Sequence, residues 1–406
     1  MEKEIEPIIN SFLYDLDQRK LEILDRILFT LLFKKEMMLL KGRADQETAR
    51  IEKVLHRYHD YHGLILRRSI KNSDLKKEFL IEKIYPAPTR LILLITHSCQ
   101  LKCRYCRVRK FSSSINEKVI LKAIDLLFTS HRKDLQLQFF GGEPLLRFDL
   151  VQKAVDYADR INKKEKRNLT FILTTNGIAL TREKVDFLKK YKFLVEFSID
   201  GEVENQLKMR TSKSHGNYYS RLIDNLDYFF RSKVPHYSIS VMMPQNVGVA
   251  SAVFIDLVKL GFTKLQINYA LGVFWPKEKE AELFRETEKI VSLLKKKKGI
   301  EFINLTSIRR EPVVLNSELT VDCDGGIYLE SGICLEEDFI AMKKKFLITD
   351  IKKAHDINLL ASTQFQNFYR LSKVYADAAP KFRKIILNNI LLGRKYSELI
   401  KKWISH

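Results

Sequence analysis

A chain of 406 residues, 45% of them hydrophobic, is long enough for more than one domain and apolar enough to bury a sizeable core. It has no run of about eighteen uncharged apolar residues and opens on the charged stretch Met1–Glu6, so neither a transmembrane helix nor a signal peptide is expected; with few cysteines, the expected setting is the reducing cytoplasm, away from any membrane. The formal net charge of +21 would suit an acidic partner, but the basic residues are spread along the chain and the blocks at Lys295–Lys298 and Lys343–Lys345 have no interleaved aromatics, so nucleic acid is not the expected partner.

Residues 1–87 read as an N-terminal helical segment. Ile8, Ile9, Phe12, Leu13 and Leu16 follow helical spacing, and a second amphipathic helix is expected from Asp45 to His59. The pattern then changes to alternating strands and helices over residues 88–300, which predicts a parallel α/β sheet. Strands are expected at Leu91–Thr96, Leu135–Phe140, Leu169–Thr174, Leu194–Ile199, Tyr237–Met242 and Lys264–Asn268. Helices are expected at Glu117–Ser130, Leu150–Asn162, Thr181–Lys190, Tyr218–Arg231 and Ser251–Leu260. Six such units make an incomplete barrel, since a closed eight-stranded one needs two more. Residues 301–406 form a third region, ending in a helical, basic tail.

In such sheets the chemistry gathers at the carboxyl ends of the strands. After the first strand come Cys99, Cys103 and Cys106, three of the five cysteines in the chain, spaced C-x3-C-x2-C. Three thiols in one loop can converge on a soft metal centre and leave one coordination position free. Two other readings stay open at this point: a structural zinc with His97 as fourth ligand, and three unrelated thiols. The second strand ends at Gly141-Gly142-Glu143-Pro144, where glycines let the backbone approach a neighbour closely. The third ends at Thr175-Asn176-Gly177, and the fourth at Ser198-Ile199-Asp200-Gly201, with Arg210 downstream. Asn246 follows the fifth.

The cysteine loop resembles the signature of the radical S-adenosylmethionine (SAM) superfamily, with Tyr105 in the aromatic place of C-x3-C-x-aromatic-C. The resemblance covers about residues 88–275 and implies a partial (β/α)6 barrel. It implies one [4Fe-4S] cluster held by Cys99, Cys103 and Cys106, with SAM chelating the open iron. It further implies that Gly141, Gly142, Glu143 and Pro144 receive the SAM ammonium, that Thr175 and Asn176 reach toward SAM, and that the Ser198, Asp200 and Arg210 motif contributes to SAM binding, with Ser198 and Arg210 addressing its carboxylate. Asn246 would lie near the adenosine.

Within that superfamily the motifs resemble the peptide-maturing branch that carries a cysteine-rich extension called SPASM, or twitch. Leu319–Tyr328 resembles its first hairpin and Phe346–Ile351 a later segment, but only Cys323 and Cys334 remain there. The expectation is a degenerate extension without an auxiliary cluster; the alternatives are a metal shared with other ligands and two ordinary thiols. The function expected is hydrogen abstraction from a ribosomally made precursor peptide, with flavodoxin or ferredoxin as electron donor. A small metabolite or nucleotide substrate is the alternative, and a non-catalytic metal-containing RNA-binding protein the remote one. His97, His215 and His236 are acid–base candidates only by their nearness to strand ends.

Overall fold

The computed structural model describes residues 88–212, 218–306, 318–329, 343–360 and 378–404, together with Ala49, Lys53 and Val374. Ala49 and Lys53 are helical; the rest of the expected N-terminal helices, His215 and Cys334 lie outside the described residues. The chain divides into two compact units. One takes in Met1–Pro88, Thr129–Arg132 and Ala354–Arg383; the other holds Thr89–Phe128, Lys133–Lys353 and Lys384–His406. In the first, Thr129 Oγ1 accepts from the Ile357 N–H at 2.9 Å, and Ser130 Oγ donates to the Pro88 carbonyl at 2.9 Å.

The second unit is the α/β body. In chain order it begins with β1 (Arg90–Thr96), β2 (Leu101–Cys103), α1 (Glu117–Phe128), β3 (Asp134–Gly141), α2 (Phe148–Glu165), β4 (Asn168–Thr175) and α3 (Arg182–Lys190). Then come β5 (Leu194–Ser198), α4 (Val203–Met209), β6 (Arg210–Ser212), α5 (Tyr219–Ser232), β7 (His236–Met242), α6 (Ala250–Lys259) and β8 (Lys264–Tyr269). It continues through α7 (Lys277–Leu294), β9 (Glu301–Phe302), α8 (Ile303–Thr306), β10 (Leu319–Val321), β11 (Gly326–Leu329) and β12 (Leu347–Asp350). The short α9 (Ile357–Leu360) lies in the other unit, and α10 (Pro380–Ile404) closes the described chain.

β1, β3, β4, β5, β7 and β8 lie side by side in that order, all parallel, as expected of six strand–helix units. β1 is apolar almost throughout, and six of its seven residues are buried, because strand and helix layers cover both its faces. The covering helices follow the periodicity of their sequences: α1 buries Ile120, Ala123, Ile124 and Leu127, one stripe at i, i+3, i+4 and i+7. Thr181 caps α3 by accepting from the Lys184 N–H, and Lys166 and Lys233 end α2 and α5 in the left-handed conformation. Between sheet and helices, Phe139, Phe171 and Phe193 stack with centroids 5.3–6.4 Å apart. Each such ring contributes roughly 1.5–3 kcal/mol by leaving water.

The sheet is larger than six strands. β9 joins β8 in parallel, β10 joins the free edge of β1 in parallel, and β11 and β12 follow antiparallel, giving ten strands in all. The hairpin expected around Leu319–Tyr328 therefore continues the sheet itself. Its pairing covers the main-chain donors and acceptors on the edge of β1. A separate two-stranded ribbon sets Cys103 of β2 opposite Arg210 of β6.

Candidate active site

The inner face of the parallel strands and the loops at their carboxyl ends enclose a cavity of about 390 Å³. Cys99, Cys103 and Cys106 all line it. Cys99 Sγ accepts from the Leu101 N–H at 3.4 Å and from the Asn176 side-chain amide at 3.7 Å. Lys110 lies against Cys106 and Cys99; burial lowers its pKa, but its interactions with the two sulfurs raise it by more. Burial pushes the Cys99 thiol up and the Cys103 thiol to about 12, with Arg210 acting against it. An occupant that takes these sulfurs as thiolates must therefore release protons on binding.

Two features separate the open readings of the loop. A single tetrahedral zinc, with Zn–S near 2.3 Å, draws its sulfurs to within roughly 4 Å of each other. Among the described residues, the trio of possible ligands whose atoms all lie within 4.8 Å of one another is His97, Asp322 and Cys323, and the three loop sulfurs are not gathered in that way. His97 is also unavailable as their fourth partner: Nδ1 lies 2.9 Å from the Arg109 carbonyl and Nε2 lies 2.7 Å from Asp322 Oδ1. Three thiols around one cavity, each able to hold its own metal, fit a polynuclear cluster.

The two glycines act first on the protein itself. Gly141 has φ +138°, and a Cβ there would meet the Thr96 carbonyl oxygen at 2.5 Å; at Gly142 it would meet the Ser98 carbonyl oxygen at 2.1 Å. The Gly142 and Glu143 N–H groups donate to Thr96 and Ser98 at 2.6 and 2.9 Å, pinning the end of β3 to the cysteine loop. Gly141 and Gly142 line the cavity, but Glu143 and Pro144 are outside its lining. The Glu143 carboxylate, wholly buried, accepts from Thr175 Oγ1 at 2.8 Å, the Asn176 N–H at 2.8 Å and the Leu145 N–H at 3.1 Å. Burial raises its pKa in spite of those donors. It splices the end of β3 to the end of β4, so that Asn176 reaches Cys99.

Thr175, Asn176, Tyr105, Ser198 and Arg210 line the cavity; Asp200 and Asn246 stand outside it. Asp200 accepts from Arg210 Nε at 2.9 Å and from the Tyr105 hydroxyl at 2.5 Å, and the guanidinium lies 5.2 Å from the centroid of the Tyr105 ring. Asn246 Oδ1 accepts from the Met243 N–H at 2.7 Å, and its amide donates to Asn205 at 3.2 Å. His236 is caged by Phe229, Phe230 and Phe262 and does not reach the cavity.

Thr174, Asn268 and Tyr269, polar residues at the ends of their strands, line the cavity too, whereas Gln138, Glu196, Asp322 and Lys343 escaped sequence reasoning. A signal was present for Gln138 and Glu196: each is a polar residue alternating with buried apolar neighbours, Leu137 and Phe139 on β3, Val195 and Phe197 on β5. Asp322 is held at about 2, because hydrogen bonds from His97 and Lys343 outweigh its burial. Cys323 donates to the Leu94 carbonyl at 3.2 Å, and burial pushes its thiol up to about 12.

Residues 93–248 match the family described as the Radical SAM superfamily. The chain carries a radical SAM domain. It is 27% identical to an uncharacterized protein of Methanocaldococcus jannaschii over 60% of this chain and 79% of that protein. It is 24% identical to the radical SAM cyclopropyl synthase TigE of Paramaledivibacter caminithermalis, over 34% of this chain and 36% of TigE. A GTP 3′,8-cyclase of Rhodococcus opacus is 28% identical over 25% of this chain and 29% of the cyclase. The chain thus spans about a third of the length of TigE and of this cyclase. Among solved structures, anSMEcpe with bound AdoMet and Cp18Cys peptide superimposes with a TM-score of 0.61 at 18% identity, covering 79% of this chain and all of that one. The cofactors characteristic of radical SAM domains are a [4Fe-4S] cluster and SAM, and the trio of thiols lining the cavity fits the first of them.

Proposed function

We propose that this radical SAM enzyme modifies a ribosomally made peptide. The observation that carries the reading is the cavity itself: three thiols at the carboxyl ends of a parallel sheet face a largely apolar space of about 390 Å³ with a few polar groups set in its wall. When bound, the cluster and SAM supply a 5′-deoxyadenosyl radical that abstracts hydrogen from carbon. The chain's part is to hold the cluster through Cys99, Cys103 and Cys106, to present Ser198 and the Arg210 fork to the SAM carboxylate, and to keep water from the reacting carbon. Asp200 and Glu143 serve as positioning residues: the first aims Arg210 and Tyr105, the second aligns Thr175 and Asn176. Support for a peptide comes from the resemblance to the peptide-maturing branch and from the peptide-bound anSMEcpe neighbour. The electron would come from a flavodoxin or ferredoxin.

Anaerobic reconstitution tests this. About four irons per chain are expected, as for one [4Fe-4S] cluster, and 5′-deoxyadenosine should form on reduction with SAM. Cys99→Ala, Cys103→Ala or Cys106→Ala should abolish the brown chromophore, whereas Cys323→Ala should leave it. About eight irons per chain would reject the single-cluster reading. Mass spectrometry of peptides encoded beside the gene, before and after turnover, tests the substrate; a small metabolite or nucleotide altered in their place would overturn it.

A further inference from the structure

The deeper half of the cavity carries a second polar constellation. Glu196 on β5 lies on the same strand face as Ser198, about 7 Å toward the amino end of the strand at ~3.3 Å per residue. It is 6% exposed and lines the cavity. One carboxylate oxygen accepts from Thr174 Oγ1 at 2.6 Å and Gln138 Nε2 at 3.0 Å; the other accepts from the Tyr237 hydroxyl at 2.5 Å. All three partners are neutral, and among the described residues Glu196 has no salt bridge. The cationic side chains that line the cavity sit elsewhere: Arg107, Arg109 and Lys110 in the cysteine loop, Arg210 on Asp200, and Lys343 on Asp322.

Two further oxygens of the cavity wall are left without partners, one of them on Gln138, whose amide already touches Glu196. Gln138 Oε1 and Thr320 Oγ1 are buried and make no hydrogen bond among the described residues, and both residues line the cavity. They share one rung of the sheet, on either side of Ile92. A buried carboxylate with neutral partners only, next to an unmatched amide oxygen, suits a cationic donor. With acceptors fixed by the strands on which they stand, the site needs no rearrangement to receive one.

We propose that this floor is a specificity subsite for the substrate, taking an ammonium or guanidinium group between Glu196 and Gln138. The inference rests on the proposed function only in placing a substrate in the cavity. For a peptide substrate, it selects a lysine- or arginine-type side chain, or an amino terminus, within reach of the modified residue.

The test is equilibrium binding to the anaerobic, SAM-loaded, unreduced holoenzyme, with n-butylammonium, n-butanol and butyrate as probes. n-Butylammonium should bind about ten-fold tighter than n-butanol, the scale of one hydrogen bond to a charged group, and butyrate no tighter than n-butanol. Glu196→Gln should bring the amine to within about two-fold of the alcohol, and Gln138→Leu should narrow the gap several-fold. Equal binding of the three probes, a preference for butyrate, or an unchanged amine preference in Glu196→Gln would overturn the proposal. So would a loss of SAM affinity in Glu196→Gln without any amine preference in the parent, because Glu196 would then face SAM itself. Should Glu196→Gln not fold, an unchanged preference in Gln138→Leu overturns it alone. The readout needs neither turnover nor peptide, so it fails or succeeds separately from the peptide assignment.

Discussion

Asp200 holds three groups with one carboxylate: Arg210, the Tyr105 hydroxyl and, at 3.2 Å, the Val241 N–H. Neither Asp200 nor Arg210 is more than 4% exposed, so removing one charge strands the other in a medium that does not solvate it. Asp200→Asn is expected to cost about 3 kcal/mol in chemical denaturation. It should also weaken SAM binding by loosening the Arg210 fork, which a titration would read. His236 gives a pH prediction. Burial among phenylalanines lowers its pKa below 6.5, and its Nδ1 lies 2.8 Å from the Val234 carbonyl. The unfolded chain therefore takes up this proton first, so stability is full above about pH 6.5 and is lost as pH falls through the folded value. Denaturation of His236→Phe at pH 7.5 and pH 5 should show a smaller acid loss than the parent.

At the scale of elements, the cysteine loop and the end of β3 form one object, because Gly142 lies against the Ser98 carbonyl. Gly142→Ala places a methyl 2.1 Å from that oxygen and must push the two loops apart. Its iron content after reconstitution is expected to fall below half of the parent's, with a lowered melting temperature. The six core strands and five of the helices were legible in the sequence, because each carries a strong period: apolar runs bounded by turns, or stripes such as Ile120, Ala123, Ile124 and Leu127. The β2–β6 ribbon was not, since three residues are too few for alternation and the partners stand far apart in sequence. Motif residues were legible as residue types at strand ends, yet their division of labour was not. Whether Glu143 faces a ligand or Thr175 depends on where the neighbouring strand stops, and that is a property of register.

For the molecule as a whole, the added strands β10–β12 bind the edge of the sheet to the cysteine loop through Asp322, which bridges His97 and Lys343. The extension thereby supports the loop at a point two residues before Cys99. Asp322→Asn is expected to raise amide exchange between His97 and Ile115 by about ten-fold, which hydrogen-exchange mass spectrometry would follow; unchanged exchange would show that the tie is idle. The hairpin was legible as a local pattern, but its seat on β1 was not, because parallel pairing across more than two hundred residues leaves no periodic mark.

The helix α10 has a use for the experimenter. Its adjacent amides Asn388 and Asn389 grip the segment after β8, bonding the Trp275 main chain at 2.7 and 2.8 Å, the Gly272 N–H at 2.9 Å and the Val273 carbonyl at 2.8 Å. The indole of Trp275 is 1% exposed and lies edge-on to Tyr269, which itself walls the cavity. Only one other tryptophan occurs in the chain, Trp403, and it is partly exposed. The protein thus contains its own optical gauge: a blue-shifted emission reporting that the lip of the chamber is seated, read against a second, wetter fluorophore on the same molecule.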